Sequence, residues 1–169
     1  MTETAAAPPP QTLAPVVVRA MTTADCQAAA DLIAPHARRE IMLWRTAADI
    51  ARHLPDFLVA EVHGAVVGCV ALRDYSNGLF EVRSLAVDEA LFGKGIGSTL
   101  IRGATLAAHA RGARRVFALT RRPNLFLNNG YHALDKTAFP EKVWADCQFC
   151  FKRDRCDEVA VSVEFPGGA

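Results

Sequence analysis

A glycine-rich loop between a predicted strand and a predicted helix constrains this chain more than any other segment. Val82–Val87 is an apolar run typical of a buried strand, and apolar residues recur at helical spacing from Ile96 onward. Between them stand three glycines at alternate positions: Gly93, Gly95 and Gly97. Glycine lets a ligand approach the backbone closely, and the unpaired N–H groups of a first helical turn favour an anion. With Lys94 inside it, the loop predicts a phosphate or pyrophosphate cradle.

Two familiar phosphate loops do not fit this spacing. A Walker loop needs Gly-Lys-Ser/Thr, whereas Lys94 is followed by Gly95. A dinucleotide-binding fingerprint needs Gly-x-Gly-x-x-Gly in the first βαβ unit, and here Gly-x-Gly-x-Gly follows several earlier elements. A flexible turn with helix-packing glycines remains the alternative to an anion cradle.

Charge is balanced overall but unevenly distributed. The net charge of +1 gives no general field for nucleic acid or a membrane surface, so neither is an expected partner. From Ala90 to Leu134, however, there is no Asp or Glu and there are seven cations: Lys94, Arg102, Arg111, Arg114, Arg115, Arg121 and Arg122. A ligand with several phosphates explains this block better than a solvated surface, which normally carries both signs.

Length and composition indicate an ordinary globular protein. With 169 residues, 51% of them hydrophobic, the chain can bury one core, and we expect a single domain over residues 16–165. Residues 1–15 are rich in Ala and Pro and predict a disordered tail rather than a signal peptide. No apolar stretch approaches the roughly 20 residues that span a bilayer. We therefore expect a cytoplasmic protein, in which the five cysteines are thiols or metal ligands rather than disulfides.

The hydrophobic periodicity predicts a mixed α/β domain with the order β-α-α-β-β-β-α-β-α-β. Its first half contains a strand at Val16–Ala20, a helix from Asp25 to Ala34 that Pro35 ends, a helical region at Arg38–Leu43 that resumes after Thr46, and strands at Phe57–Val62, Val66–Leu72 and Leu79–Val87. After the loop come a helix ending at Gly112, a strand at Arg115–Thr120, a short helix at Asn124–Asn129 and one or two further strands. Antiparallel hairpins therefore precede one parallel crossover through the glycine-loop helix.

This order, with Leu85-Ala86-Val87 leading into the glycine loop, resembles the GNAT acyltransferases. Their signature Gln/Arg-x-x-Gly-x-Gly/Ala would occupy Phe92 to Gly97, with Phe92 where the family has Gln or Arg. The resemblance implies the GNAT fold, a central mixed sheet flanked by helices, with acetyl-CoA as co-substrate. It assigns to acetyl-CoA two strand and loop segments and two later residues: Leu85, Ala86, Val87, Phe92, Gly93, Lys94, Gly95, Ile96, Gly97, Ser98, Asn124 and Phe126. Phe92 removes one side chain from this set but none of the backbone donors.

Within the family, three patches are similar to the acetyltransferase domain of N-acetylglutamate synthases: Ile41–Thr46, Glu81–Val87 and Ala118–Tyr131. The similarity implies a stand-alone short form, without an amino-acid-kinase domain, that makes N-acetyl-L-glutamate in the first step of arginine biosynthesis. Its partner would be a small-molecule substrate, and a homo-oligomer is left open. Two alternatives stand beside it: a GNAT enzyme for another small amine, amino acid or protein N-terminus, and a non-catalytic zinc-stabilised module that binds acyl-CoA.

Acetyl transfer to an α-amino group, which is mostly protonated at pH 7, needs a base. Glu81 is the candidate, in a strand beside the expected thioester; a solvent-facing charge is the alternative. Tyr131 is the candidate acid for the thiolate leaving group, with Thr120 and Asn124 as further candidates, although Tyr131 also fits a core aromatic. A backbone N–H near Leu85 would stabilise the oxyanion.

A dicarboxylate acceptor calls for arginines, whose planar fork matches a carboxylate. Arg45 is the first candidate by its position in the early synthase-like segment, and Arg83 is the second because it shares a strand face with Glu81. Ser84 and Thr120 complete the predicted substrate site. Lys142 and Arg155 are more typical of surface charges.

A third cluster, Cys147-x-x-Cys150-x5-Cys156, has spacing that suits a tetrahedral zinc site. A fourth ligand is not evident, although Asp157, His132 or His53 could supply one. Structural zinc, free thiols and a redox disulfide therefore remain open.

Overall fold

Seven strands form one sheet in the computed structural model, which describes residues 14–167. In chain order they are β1 (Val17–Ala20), β2 (Phe57–Val62), β3 (Ala65–Asp74), β4 (Leu79–Val87), β5 (Arg115–Thr120), β6 (His132–Leu134) and β7 (Val159–Glu164). Their order across the sheet is β1-β2-β3-β4-β5-β7-β6, and β4–β5 is a parallel pair within an otherwise antiparallel sheet. The predicted mixed sheet with one parallel crossover is confirmed.

Helices cover both faces of the sheet, and each face has its own apolar core. The helices are α1 (Cys26–Arg38), α2 (Ala47–Arg52), α3 (Ile96–Ala110), α4 (Pro123–Leu127) and α5 (Pro140–Ala145). Leu100 and Ile101 of α3 are fully buried in one core, while Ile33 of α1 and Ile50 of α2 are fully buried in the other. The predicted apolar face of α3 therefore packs on the sheet, and the glycine loop is fixed at its edge.

Two glycines set how closely α3 approaches the sheet. A Cβ at Gly68 of β3 would lie 2.8 Å from Leu100 Cδ1 and 3.2 Å from the Ala86 carbonyl oxygen. A Cβ at Gly103 of α3 would lie 2.8 Å from Val18 Cγ1. These distances are shorter than carbon atoms tolerate, so the helix could not hold this position with larger residues.

Two helix boundaries differ from the prediction. Pro35 lies inside α1 rather than ending it, because a proline near a helix end removes only one hydrogen bond and the helix continues for another turn. The predicted helix at Arg38–Leu43 is wrong, since the chain turns there with Glu40 at φ 54°. Helix α2 does begin after Thr46, whose hydroxyl accepts from the Asp49 backbone N–H at 3.1 Å. The non-helical segment brings Arg45 to the open end of the sheet.

The chain after β5 is more elaborate than the one or two strands predicted. Between β6 and β7 runs a connection, residues 135–158, that contains α5 and three short 3₁₀ turns. Strand β7 then enters between β5 and β6. The connection thereby crosses the open end of the sheet, beside the strand ends that the sequence assigned to the site.

Residues 1–13 of the predicted N-terminal tail lie outside the described residues. Within residues 14–167, no helix is long and apolar enough to cross a membrane. The proposed domain limits at residues 16 and 165 remain a prediction.

Candidate active site

The site begins where β4 and β5 separate. These parallel strands pair only at Leu79–Glu81 with Arg115–Phe117, and beyond that point β5 pairs with β7 alone. A cavity of about 730 Å³ lies there, lined by the second half of β4, the end of β5, the first turn of α3, residues 39–45 and part of the connection. An open angle between two strands gives a ligand access to backbone groups that a continuous ladder would occupy.

A β-bulge exposes the backbone of β4 inside this cavity. The β3–β4 register shifts between Cys69 and Ala71, so within the described chain neither Ser84 nor Leu85 has a strand partner on either side. Ser84 adopts φ 52°, a left-handed conformation that costs a non-glycine residue roughly 1–2 kcal/mol. Strain of this kind is concentrated at functional sites, and no sequence signal pointed to Ser84 as its location.

The glycine loop needs its glycines for backbone conformation rather than for space. Gly93 and Gly95 have φ angles of 78° and 82°, and a Cβ at either would meet nothing within 4 Å. Gly95 is the N-cap of α3, and because glycine has no side chain, it cannot cap the first backbone N–H groups of the helix. Such a helix start can accept an anion.

Phe92 stands where the family has a polar side chain, and the guanidinium of Arg122 lies over its ring. Its ring is 43% exposed, lies 6.3 Å from the ring of His36, and has the Arg122 guanidinium 5.6 Å above it. A cation–π contact of this type holds Arg122 at the cavity wall. Sequence reasoning placed Arg122 only in the cationic block and missed His36, whose Nε2 is buried without a partner among the described residues. Burial, and then Arg39, lower the pKa of His36.

Glu81 is a buried, fully oriented carboxylate. Its side chain is 4% exposed; Lys142 Nζ lies 2.8 Å from Oε1, and the Tyr75 hydroxyl donates to Oε2 at 2.8 Å. Burial and Glu81 itself raise the pKa of Tyr75, so this phenol stays a donor. A carboxylate has about four acceptor positions, so capacity remains for a substrate proton. The alternative of a solvent-facing Glu81 is therefore wrong.

Arg45 is a half-buried cation with one buried, unused donor. Its Nε has no hydrogen-bond partner within the part of the chain that the structure describes, and its side chain lines the cavity that contains Glu81. Burial, and then the neighbouring Arg83, lower the pKa of Arg45. Among the described residues, the acids near Arg83 lie at longer distances, 3.4 Å for Asp146 and 3.9 Å for Glu81. The two guanidiniums can therefore receive an added carboxylate.

Lys142 is the largest departure from expectation. Predicted as a surface charge, it is 12% exposed and bridges Glu81 and Asp146 with 2.8 Å contacts to both. Asp146 also accepts two bonds from Arg73, at 2.8 and 2.9 Å. Arg155, by contrast, is exposed in a 3₁₀ turn, as expected of a surface charge.

The comparisons with known proteins agree with this architecture. Residues 24–134 match the family model described as the acetyltransferase (GNAT) family. The chain is also 40% identical to an uncharacterized N-acetyltransferase of Chlorobaculum tepidum, over 85% of its own length and 93% of that protein. The chain belongs to the GNAT family. It is thus a member of the acetyl-CoA-dependent N-acetyltransferases.

Two further relatives carry more specific names. The GNAT chain is 33% identical to an amino-acid acetyltransferase of Mycobacterium tuberculosis, over 80% of its length and 78% of that protein. It superposes on N-acetylglutamate synthase from Neisseria gonorrhoeae, solved with coenzyme A and N-acetyl-glutamate, with a TM-score of 0.78. That match has 24% identity and covers 89% of this chain but only 35% of the synthase, so it shows the fold alone.

The residues predicted to bind acetyl-CoA differ in whether they line the cavity. Those that line the cavity are Leu85, Val87, Phe92, Gly97 and Phe126. Ala86 and Ile96 bury their side chains in the cores and can offer only backbone groups. The remaining predicted residues do not line the cavity: Gly93, Lys94, Gly95, Ser98 and Asn124. Of the predicted substrate residues, all four line the cavity: Arg45, Arg83, Ser84 and Thr120.

Tyr131 is a core residue in this GNAT chain. Its hydroxyl shares a 2.7 Å hydrogen bond with Thr105, its ring packs edge-on against Phe126, and it does not line the cavity. Burial raises its pKa to about 12. Because the side chain points its only polar atom at Thr105, the geometry contradicts a role for Tyr131 as the acid.

The cysteine cluster does not form a metal site. Cys147 and Cys150 are half-buried and Cys156 is exposed; residues 14–167 contain no group of three His, Cys, Asp or Glu side chains placed to hold a metal ion. The Lys136 ammonium instead donates to Cys156 Sγ at 3.0 Å. Because the described residues place no such group of ligands together, the zinc prediction is not supported.

The cationic block is only partly a ligand site. Three of its arginines are neutralised by acids from elsewhere in the chain: Arg111 by Asp56, Arg115 by Glu164 and Arg121 by Asp157. Arg114 donates to the Asn77 carbonyl, and Arg102 to Asn129. The absence of acids in that stretch therefore reflects pairing across the fold as well as any anionic ligand.

Proposed function

We propose that this GNAT enzyme transfers the acetyl group of acetyl-CoA to the α-amino group of L-glutamate, the reaction that begins arginine biosynthesis. The observation that carries the proposal is the half-buried Arg45 side chain, whose buried Nε has no hydrogen-bond partner among the described residues and which shares a cavity with Arg83 and the oriented Glu81 carboxylate. A partly desolvated cation with an unused donor favours an anionic ligand, because a buried donor without a hydrogen bond is costly. The named amino-acid acetyltransferase relative supports an amino acid as that ligand.

The residues at the strand opening fit acetyl-CoA, which supplies an activated acetyl thioester. The bulge leaves the Leu85 backbone outside the strand ladder, where it can bind the pantetheine arm. The helix start at Gly95, together with the backbone N–H groups from Gly93 to Ser98, can bind the pyrophosphate. Arg122, held over Phe92, adds a cation at the same wall.

Glu81 would accept the proton from the acceptor's ammonium group, directly or through a water molecule. Lys142 and Tyr75 fix its two oxygens, so the carboxylate is positioned before the acceptor arrives. The Leu85 N–H would donate to the oxygen that becomes negative when the neutral amine attacks the thioester carbon. Thr120, whose oxygen accepts from the Arg122 N–H at 2.9 Å, can still donate a hydrogen bond to the departing thiolate, which takes up the proton that the attacking nitrogen loses as the amide forms.

Coenzyme A release, measured against a panel of acceptors, tests the proposal. The panel contains glutamate, glutamine, aspartate, a small alkylamine and a short peptide with a free N-terminus. We expect the highest kcat/KM with glutamate. Turnover of another amine without turnover of glutamate would refute the substrate while keeping the reaction, and no turnover of any acceptor would favour the non-catalytic module.

A second acceptor class has a specific observation in its favour. Three apolar side chains at the cavity are largely exposed: Leu43 at 54%, Phe149 at 80% and Phe151 at 62%. An acceptor with an apolar body, such as a protein N-terminus, would cover them. The peptide in the panel distinguishes this case, because its rate would then exceed that of glutamate.

A further inference from the structure

Asp146 holds the densest set of charge contacts around the cavity. It follows directly after α5, lines the cavity wall, and is 24% exposed. Its oxygens accept from Arg73 at 2.8 and 2.9 Å, from Lys142 at 2.8 Å and from Arg83 at 3.4 Å. These partners come from β3, α5 and β4, so one carboxylate binds cations from three elements.

The cations near Glu81 are therefore unequal in what they offer to a substrate. In the described part of the chain, the Arg45 Nε has no hydrogen-bond partner, and the carboxylates near Arg83 are 3.4 and 3.9 Å away. Lys142 and Arg73, in contrast, each have a carboxylate at 2.8 Å. A first acceptor carboxylate can bind at Arg45 and Arg83 without breaking a short ion pair. A second one meets cations that Asp146 already occupies.

We propose that Asp146 is a specificity-determining residue that occupies the position of the acceptor's second carboxylate and competes with it for Lys142, which lines the cavity, while it also holds Arg73. The inference rests on the proposed amino-acid acetyltransferase function. A dicarboxylate acceptor must displace Asp146 from these cations, whereas an acceptor with a side-chain amide can bind while Asp146 stays in place. Asp146 thereby lowers the ratio of kcat/KM for glutamate to kcat/KM for glutamine.

Two further features of Asp146 fit an internal competitor. Although burial opposes its ionisation, contact with Lys142 and Arg73 lowers the pKa of Asp146 to about 2, so the carboxylate remains charged at neutral pH. It also lies in the connection between β6 and β7 rather than in a strand, and its partly exposed side chain can turn towards solvent when displaced. Glu81, in contrast, is fixed within β4.

The test compares Asp146→Asn with the native enzyme, using kcat/KM for glutamate and for glutamine at saturating acetyl-CoA. Asparagine keeps the shape and can still accept hydrogen bonds, but it removes the negative charge. We expect the glutamate-to-glutamine ratio of kcat/KM to rise about tenfold, the size of one charge-assisted interaction. Because the ratio is taken within one variant, any general loss from a displaced Lys142 cancels.

Asp154→Asn is the matched control, since Asp154 lies in the same connection with its side chain 92% exposed, and it should leave the ratio unchanged. Asp146→Ser, which also removes the charge, replaces the asparagine variant if thermal unfolding shows that the latter does not fold. An unchanged ratio in a folded, active variant would refute the inference while leaving the proposed function intact. A native enzyme without turnover of either amino acid would instead refute the proposed function, and the inference with it.

Discussion

Replacing Glu81 with glutamine separates the role of its charge from the role of its shape. Glutamine keeps the volume and the hydrogen bond from Tyr75, but it loses the ion pair with Lys142, which lies 2.8 Å away. Removing one partner of a buried ion pair costs about 3–5 kcal/mol when the other charge is left alone. Lys142 retains Asp146 at 2.8 Å, so we expect a smaller loss of unfolding free energy, about 1–3 kcal/mol.

The catalytic effect should be much larger than this stability effect. A positioned general base contributes about 10²–10⁴-fold to a rate, so kcat of Glu81→Gln should fall by that factor. The pH dependence of kcat should change as well, while the KM for acetyl-CoA stays unchanged. The measurement is kcat from pH 5 to 9 at a temperature where urea titration shows both proteins to be folded.

Glu61→Gln provides the matched control, because Glu61 pairs with Arg19 at 2.9 Å and does not line the cavity. This variant should keep the native kcat and pH profile. If Glu81→Gln also keeps both, Glu81 is not the base. If the two variants slow equally, the loss reflects stability rather than chemistry.

Three further predictions concern the acceptor site, acid stability and the glycine loop. Arg45→Met should raise the KM for glutamate about tenfold without raising the KM for acetyl-CoA. The unfolding free energy should be unchanged or higher, because the substitution removes a partly desolvated cation whose Nε has no partner among the described residues. Equal rises in both KM values would contradict this prediction. The hydrogen bond from Arg19 lowers the pKa of Asp25. Burial opposes the ionisation of Asp146, but contact with Lys142 lowers the pKa of Asp146 to about 2. Both carboxylates therefore stabilise the fold above their unfolded-state pKa near 4, and urea titrations should show this stability disappearing as pH falls from about 4 towards 2, with a smaller slope in Asp25→Asn. Gly95→Ala, at φ 82°, should lower the unfolding free energy by roughly 1–2 kcal/mol in chemical unfolding and raise the KM for acetyl-CoA. Gly97→Ala, whose Cβ would lie 3.4 Å from Leu125, should lower the unfolding free energy by less.

The parts of the fold that could be predicted are those that local chemistry decides. The hairpin at His63–Gly64 follows from two residues that tolerate positive φ between two β-branched runs, and both have positive φ. The face of α3 follows from helical spacing, and its five predicted apolar residues are all buried: Ile96, Leu100, Ile101, Ala104 and Ala108. Periodicity reports which side of an element is buried without knowledge of its partner.

The parts that could not be predicted depend on contacts between distant residues. Lys142 reaches Glu81 across 61 positions of sequence, and Asp146 reaches Arg73 across 73. Nothing near Lys142 in the chain signals that it is buried, and lysine is among the residue types that are most often exposed. The bulge at Ser84 likewise depends on the register of β3, which a single strand does not encode.

Charge in a sequence and charge in a fold therefore carry different information about a ligand. The seven cations of the acid-free stretch suggested an anion, yet Arg111, Arg115 and Arg121 are neutralised by acids from other elements. Arg45, which has acids nearby in sequence, keeps a buried donor without a partner among the described residues. Since a buried donor without a hydrogen bond is unfavourable in the free protein, a carboxylate bound at Arg45 would stabilise it. Stronger physical evidence for an anionic acceptor is thus Arg45, a half-buried cation at the cavity whose Nε is buried without a partner among residues 14–167.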